Sequence, residues 1–283
     1  MFKIFKFKNM AVLSLALCVV LLLLSVIFSV TPIVTASNGG GVRVPIVMYH
    51  QISENRSIWG NYVIPTSVLE EDFKYIKEQN ITPVSFKDLE LYVEGKKDLP
   101  QNPIVITFDD GERSFLTKVV PLLEKYEYPA NVNIVGSLVD LYTENGDTDD
   151  RYAYLNNEDV KVLSEHPLVE LGCHTYNMHS LSGRRGMGSL YGESESEYIN
   201  SLNKDFNRFN EQIYNLTGKS LNILAYPYGI KNKTVESLAK ENGYSVTLTC
   251  GENVNVLNVG DNLYNLGRFN RPYGVGAEEF FDF

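Results

Sequence analysis

From Val44 onward the chain alternates short apolar runs with amphipathic ones, and this alternation limits the possible folds more than any other feature. Val44–Met48, Pro83–Phe86, Pro103–Phe108, Ala130–Val135, Leu168–Cys173, Leu221–Tyr226 and Tyr244–Thr249 read as strands. Helices read between them. Ser67 to Gln79 has Ser67 and Glu70 at capping-box spacing and Leu69, Phe73 and Ile76 on one face. Pro121 suits the first turn of another helix. In Glu195–Leu216, Ile199, Leu202, Phe206, Phe209, Ile213 and Leu216 recur every three or four residues, and Gly218 follows as a stop. Thr234–Asn242 is shorter and closes at Gly243. Strand–helix alternation predicts an α/β fold with a parallel sheet. No glycine-rich phosphate loop follows the first strand, so the expectation is a distorted (β/α) barrel of about seven strands rather than a dinucleotide-binding sheet. Barrel chemistry gathers where strands end.

Polar residues suited to one site do fall there. Asp109, Asp110 and Gly111 follow Pro103–Phe108. His174, and then His179, follow Leu168–Cys173. Tyr226-Pro227-Tyr228-Gly229 closes Leu221–Ala225, and Tyr49-His50 closes the first strand. Neighbouring strand residues point to opposite faces, but a turn at Gly111 lets both carboxylates serve one centre. A spacing of i, i+5 does not put His174 and His179 on one helix face, so a loop must bring them together. Two imidazoles and one carboxylate with open positions describe a catalytic metal site, whereas structural sites usually close with four ligands. His166, the remaining histidine, precedes Pro167 in a turn and reads as a surface residue.

Thr107-Phe108-Asp109-Asp110-Gly111 resembles the first motif of the polysaccharide deacetylases, carbohydrate esterase family four. His174-Thr175-Tyr176-Asn177-Met178-His179 resembles their second motif, and its four-residue spacer is similar to the branch acting on poly-N-acetylglucosamine. Tyr226-Pro227-Tyr228-Gly229 resembles the third motif, and Pro45-Ile46-Val47-Met48-Tyr49-His50 the opening strand of the same branch. The resemblance spans about Val44 to Arg271. It implies metal-dependent hydrolysis of N-acetyl groups on an N-acetylglucosamine-containing polysaccharide. Asp110, His174 and His179 would hold one divalent metal, zinc first, with cobalt, nickel or iron as alternatives. Asp109 would be the general base, and the backbone N–H of Tyr228 an oxyanion donor. Family members often take their acid from a late histidine, but no histidine follows His179, which leaves His50 for that role. The arginine that many relatives carry before the third motif is also missing, and Arg268 is the candidate replacement. The Asp-and-Trp fourth motif is not evident. Trp59 and Tyr176 are the aromatics best suited to contact sugar. The readings set beside this one are a peptidoglycan N-deacetylase and an inactive glycan-binding relative.

Residues 1–36 read as a signal peptide or membrane anchor. Lys3, Lys6 and Lys8 precede an uncharged run from Met10 to Val30, and Val34-Thr35-Ala36 is similar to a cleavage site. That run, residues 10–30, spans a bilayer if it stays uncleaved. Both readings place the rest outside the cytoplasm, at the cell surface or secreted. Residues 37–43 are expected to be a linker and 44–283 the catalytic domain. The net charge of −10 becomes −13 without the three lysines, which disfavours nucleic acid as a partner. Cys173 and Cys250 could pair but read better as two buried thiols. Gly183–Gly192 reads as a mobile lid or substrate rim. Oligomeric state is not legible.

Overall fold

The computed structural model describes residues 40–283, so the expectations for residues 1–36 and the start of the linker lie outside it. Among the described residues no helix is long and apolar enough to cross a membrane. Nine parallel strands form the main sheet: β1 (Ile46–Tyr49), β2 (Thr82–Pro83), β3 (Pro103–Phe108), β4 (Ala130–Ile134), β5 (Val169–Cys173), β6 (Ile223–Ala225), β7 (Val246–Leu248), β8 (Leu263–Leu266) and β9 (Phe269–Asn270). Eight follow the order β8-β7-β6-β5-β4-β3-β1-β9, and β2 pairs with the first residues of β3. The expectation of about seven strands is therefore exceeded by the two short edge strands β8 and β9.

Both faces of this sheet are buried, which explains its apolar strands. Ile46, Val105, Ile223, Ala225, Val246 and Leu248 pack into one cluster with Phe86 and Leu89. Val47, Ile104, Ile106 and Leu224 alternate with them and pack into the larger cluster beneath the outer helices. Asp109 continues the alternation of Val105 and Thr107, which directs its side chain inward.

The sheet edges β8 and β9 are consecutive in the chain, separated only by Gly267 and Arg268. A link that short spans at most about 11 Å, so the sheet must curl until its edges meet. Asn255 closes this seam, with its Nδ2 donating to the carbonyls of Val44 and Gly267 and its Oδ1 accepting from the Gly267 N–H. A Cβ on Gly267 would lie 2.4 Å from the Asn253 side chain, so glycine is required there.

Several local expectations shift. The strand expected at Pro83–Phe86 ends at Pro83, because Ser85 and Asp88 form a capping box that opens a helix, Phe86–Val93. The helix expected from Ser67 runs Thr66–Glu78 without the Ser67 cap; the Glu54 carboxylate instead accepts from the Thr66 N–H and hydroxyl. Pro121 does stand at the first turn of a helix, Val120–Tyr126. The long helix spans Glu195–Thr217, with Ser194 and Glu197 as its capping box and Gly218 left-handed at its end. Val42 and Arg43, expected in the linker, belong to a strand, Val42–Val44, paired antiparallel with Asn255–Leu257.

Candidate active site

Three of the turns that leave strand ends contain a non-glycine residue in the left-handed region: Asp110 (φ 74°), Thr175 (φ 71°) and Tyr228 (φ 57°). Such backbone is unfavourable and gathers where a site demands it. After β3, Asp110 and Gly111 are left-handed in succession. A Cβ on Gly111 would sit 3.0 Å from the Ile134 side chain, so only glycine fits the turn without displacing β4. The reversal brings the Asp110 carboxylate beside the histidines.

After β5, the chain from His174 to His179 forms a pinned loop. The Asp205 carboxylate, on the long helix, accepts from the N–H groups of Tyr176 (2.8 Å) and Asn177 (2.7 Å), and Thr175 Oγ1 accepts from the Met178 N–H. These bonds fold the loop back so that the two imidazoles lie 4.8 Å apart. His174 Nε2 is 3.5 Å and His179 Nε2 3.1 Å from Asp110 Oδ1. That oxygen is buried and has no aligned hydrogen-bond donor. His174 Nδ1 lies 2.8 Å from the Ala225 carbonyl. A carbonyl only accepts, so Nδ1 carries the proton and Nε2 presents a lone pair, the usual way a ligating histidine is oriented. The ligand atoms of Asp110, His174 and His179 all lie within 4.8 Å of one another. An orphaned carboxylate oxygen facing two imidazole nitrogens fits one divalent cation of the zinc type.

Asp109 sits beside this triad, 4.0 Å from His174 Nε2 and almost wholly buried. Arg268 lies in the seam rather than in a strand. Its Nη1 and Nη2 donate to the two oxygens of Asp109, both at 2.7 Å, and its Nε donates to the Thr249 carbonyl. Asn133 Nδ2 adds a third bond to Asp109 Oδ1, at 2.8 Å. Burial alone would raise the pKa of Asp109, but the Arg268 cation, His174 and these hydrogen bonds hold it well below the usual carboxylate range. It is therefore ionised at any ordinary pH.

His50 also faces the cluster. Its Nδ1 is buried without a partner, and its ring meets Tyr62 edge-on at 4.8 Å. Burial pushes its pKa down, against the pull of Asp109 and Asp110. Tyr228 lays its ring against His179, centroids 4.8 Å apart, with its hydroxyl 3.4 Å from His179 Nδ1. The two aromatics expected at the sugar are largely occupied. Trp59 packs against Tyr273 and Arg56 and donates Nε1–H to the Ser53 carbonyl, while Tyr176 lies under Arg208 with its hydroxyl on Asp140. Among the described residues the exposed rings at the centre are Tyr228, against His179, and Tyr62, against His50.

His166 lies away from the cluster against Glu124, only half-buried. Cys173 and Cys250 are both free; Cys173 is buried as expected and Cys250 is exposed, so its expected burial is corrected. In the segment 183–192, Arg184 pairs with Glu193 and donates to the Gly188 carbonyl, and Met187 is buried, so the segment is anchored at its middle. Asn133 and Asp205 belong to no motif that the sequence offers. For Asn133 a signal exists, since Asn131 and Asn133 alternate with apolar residues in a strand that is buried throughout.

The sequence pattern of the family described as polysaccharide deacetylase matches residues 96–247. That is more than half of the chain, and the chain belongs to this family. It is 28% identical over 222 residues to the poly-β-1,6-N-acetyl-D-glucosamine N-deacetylase of Escherichia coli (strain K12), covering 72% of this chain and 33% of that protein. The chain thus spans about a third of the length of that relative. The enzyme of the same name from Staphylococcus aureus (strain MRSA252) is 28% identical over 183 residues, 65% of this chain and 59% of its own. Among solved structures, a de-N-acetylase from Aggregatibacter actinomycetemcomitans superposes with a TM-score of 0.72 at 25% identity, covering 83% of this chain and 97% of that one. The (β/α) barrel architecture is common to both.

Proposed function

We propose that residues 44–283 form the catalytic domain of a metal-dependent N-deacetylase acting outside the cytoplasm on N-acetylglucosamine polysaccharide. The observation that carries this reading is the buried carboxyl of Asp109, clamped by Arg268, next to three converging candidate metal donors. The names of the similar proteins from Escherichia coli and Staphylococcus aureus support poly-β-1,6-N-acetylglucosamine as the substrate. Asp110, His174 and His179 would hold the cation, which supplies Lewis-acid polarisation of the amide carbonyl and a more acidic water.

The chain's own groups do the rest. Arg268 and Asn133 fix the Asp109 carboxylate, whose Oδ2 accepts only one hydrogen bond from the described residues and keeps a lone pair for the water proton. The oxygen of that water adds to the acetyl carbon. The developing oxyanion is met by the Tyr228 N–H, which the left-handed turn orients. The carbon–nitrogen bond then breaks, acetate leaves, and the departing amine takes a proton from His50. Burial lowers the His50 pKa, so its protonated form is populated on the acidic side of the ordinary imidazole value.

Acetate release from poly-β-1,6-N-acetylglucosamine and from peptidoglycan, with and without chelator, tests the proposal. Chelator-sensitive release from the first polymer is expected. Release that survives complete metal removal would overturn the mechanism. Release from peptidoglycan alone would move the substrate, and release from neither would leave a glycan-binding protein.

A further inference from the structure

A groove of about 1050 Å³ lies beside the candidate metal centre and not over it. One wall is the loop between the two histidines, at Tyr176, Asn177 and Met178; the other is the polar face of the long helix. Asn200, Asn203 and Asn207 line that face at i, i+3 and i+7, which places their carboxamides in one row. Asparagine is a poor helix former, so helix stability does not account for this row on an outer face. Carboxamides both donate and accept, matching the hydroxyls and acetamido groups of an N-acetylhexosamine. The groove's charges are largely compensated. Arg184 pairs with Glu193 and Arg208 with Asp140, Asp205 is bonded to the loop, and Lys204 and Glu211 add one charge of each sign. A near-neutral, hydrogen-bonding surface suits a neutral glycan better than a polyanion or polycation.

From this we infer that the groove holds a second stretch of the N-acetylated polymer while another residue of the same chain is at the metal. The inference rests on the polysaccharide reading above and deepens it, since a polymer extends beyond the one sugar that reacts. Its occupant would touch Asn177 and the Asp205 clamp, and so would bear on the loop that carries His174 and His179.

The test compares the wild-type holoenzyme with the double variant Asn203→Ala/Asn207→Ala and with Asn207→Trp, which fills the groove. Acetate release is followed on long poly-β-1,6-N-acetylglucosamine and on its disaccharide, and retention of each protein is measured in gels containing the polymer. Losing two hydrogen bonds raises the polymer KM about tenfold, with kcat and disaccharide turnover unchanged and gel retention weakened in both variants. An unchanged polymer KM and retention in both variants would overturn the groove. So would equal losses on polymer and disaccharide. Wild type that is retained, variants that are not, and no acetate from any would support the groove and overturn the deacetylase reading. The two failures are thereby separable.

Discussion

Arg268 and Arg271 stand three residues apart, and each clamps a buried aspartate with two hydrogen bonds of 2.7–2.8 Å. Yet the two aspartates are displaced in opposite directions. Burial is the largest influence on both and raises both. At Asp109 the Arg268 charge, His174 and His50 overcome it, and the carboxyl falls well below its usual range. At Asp72 the hydrogen bonds from Arg271 and Tyr49 do not, and the carboxyl ends above its usual value. The surroundings explain the contrast. Asp109 has the imidazoles of His174 and His50 beside it as well as Arg268, whereas Asp72 is enclosed by the fold, with the Tyr49 hydroxyl at 3.0 Å and the remaining Arg271 donor spent on the carbonyls of Pro272 and Val275. A bidentate arginine is therefore no mark of an active site by itself. In the proposed mechanism one pair would set the reactive carboxylate; the other ties the chain after β9 to the helix Thr66–Glu78.

Breaking each pair should separate these uses. Asp109→Asn strands a buried arginine and should destabilise the protein by about 3–5 kcal/mol, read from urea midpoints, whereas Asp72→Asn, whose carboxyl is already held toward its neutral form, should cost less. Only Asp109→Asn should also lower kcat/KM per folded molecule, by about a thousandfold. If Asp72→Asn lost as much turnover per folded molecule, the division between the pairs would fail. His50→Gln comes next, with an expected loss of about a hundredfold. In the wild type, kcat/KM should carry a limb that declines as pH rises through a value below roughly 6.5, because the acid must be protonated and burial lowers His50. The same limb in His50→Gln would remove His50 from the mechanism. Arg268→Lys should follow at about tenfold, since an ammonium cannot bind both oxygens, while Arg271→Lys should leave turnover intact and reduce stability alone.

These pairs also mark what is legible in the sequence. The candidate metal donors and Asp109 are visible because they follow apolar runs, directly or, for His179, across a short loop, so the strand pattern assigns them to one end of the sheet. Arg268 is a candidate on charge, but its route to Asp109 depends on the curled sheet bringing its edges together, which no local pattern shows. Asp72 and Arg271 are invisible as partners because 199 residues separate them. The helix start at Thr66 escapes a local reading for the same reason, since its cap comes from Glu54 across a turn. The error at Pro83–Phe86 differs in kind. There Ser85 and Asp88 carry a local capping signal that outweighs the apolar run.

The smallest expected effect is also the most direct reading of the contrast. Because the folded pKa of Asp72 is raised, the native protein binds more protons than the unfolded chain between the ordinary carboxylate value, roughly 4, and the raised one. The contribution of Asp72 to stability is then complete below that window and lost as pH rises through it. Asp109 has the opposite sign. Its depressed pKa contributes stability above roughly pH 4 that is lost as pH falls through the folded value. Urea midpoints measured from acid to neutral pH should therefore lose a declining component in Asp72→Asn and an acid-side rise in Asp109→Asn. Variants whose pH profiles run parallel to the wild type would mean that the two carboxylates titrate alike, and that the shared arginine clamp, not the surroundings, governs both.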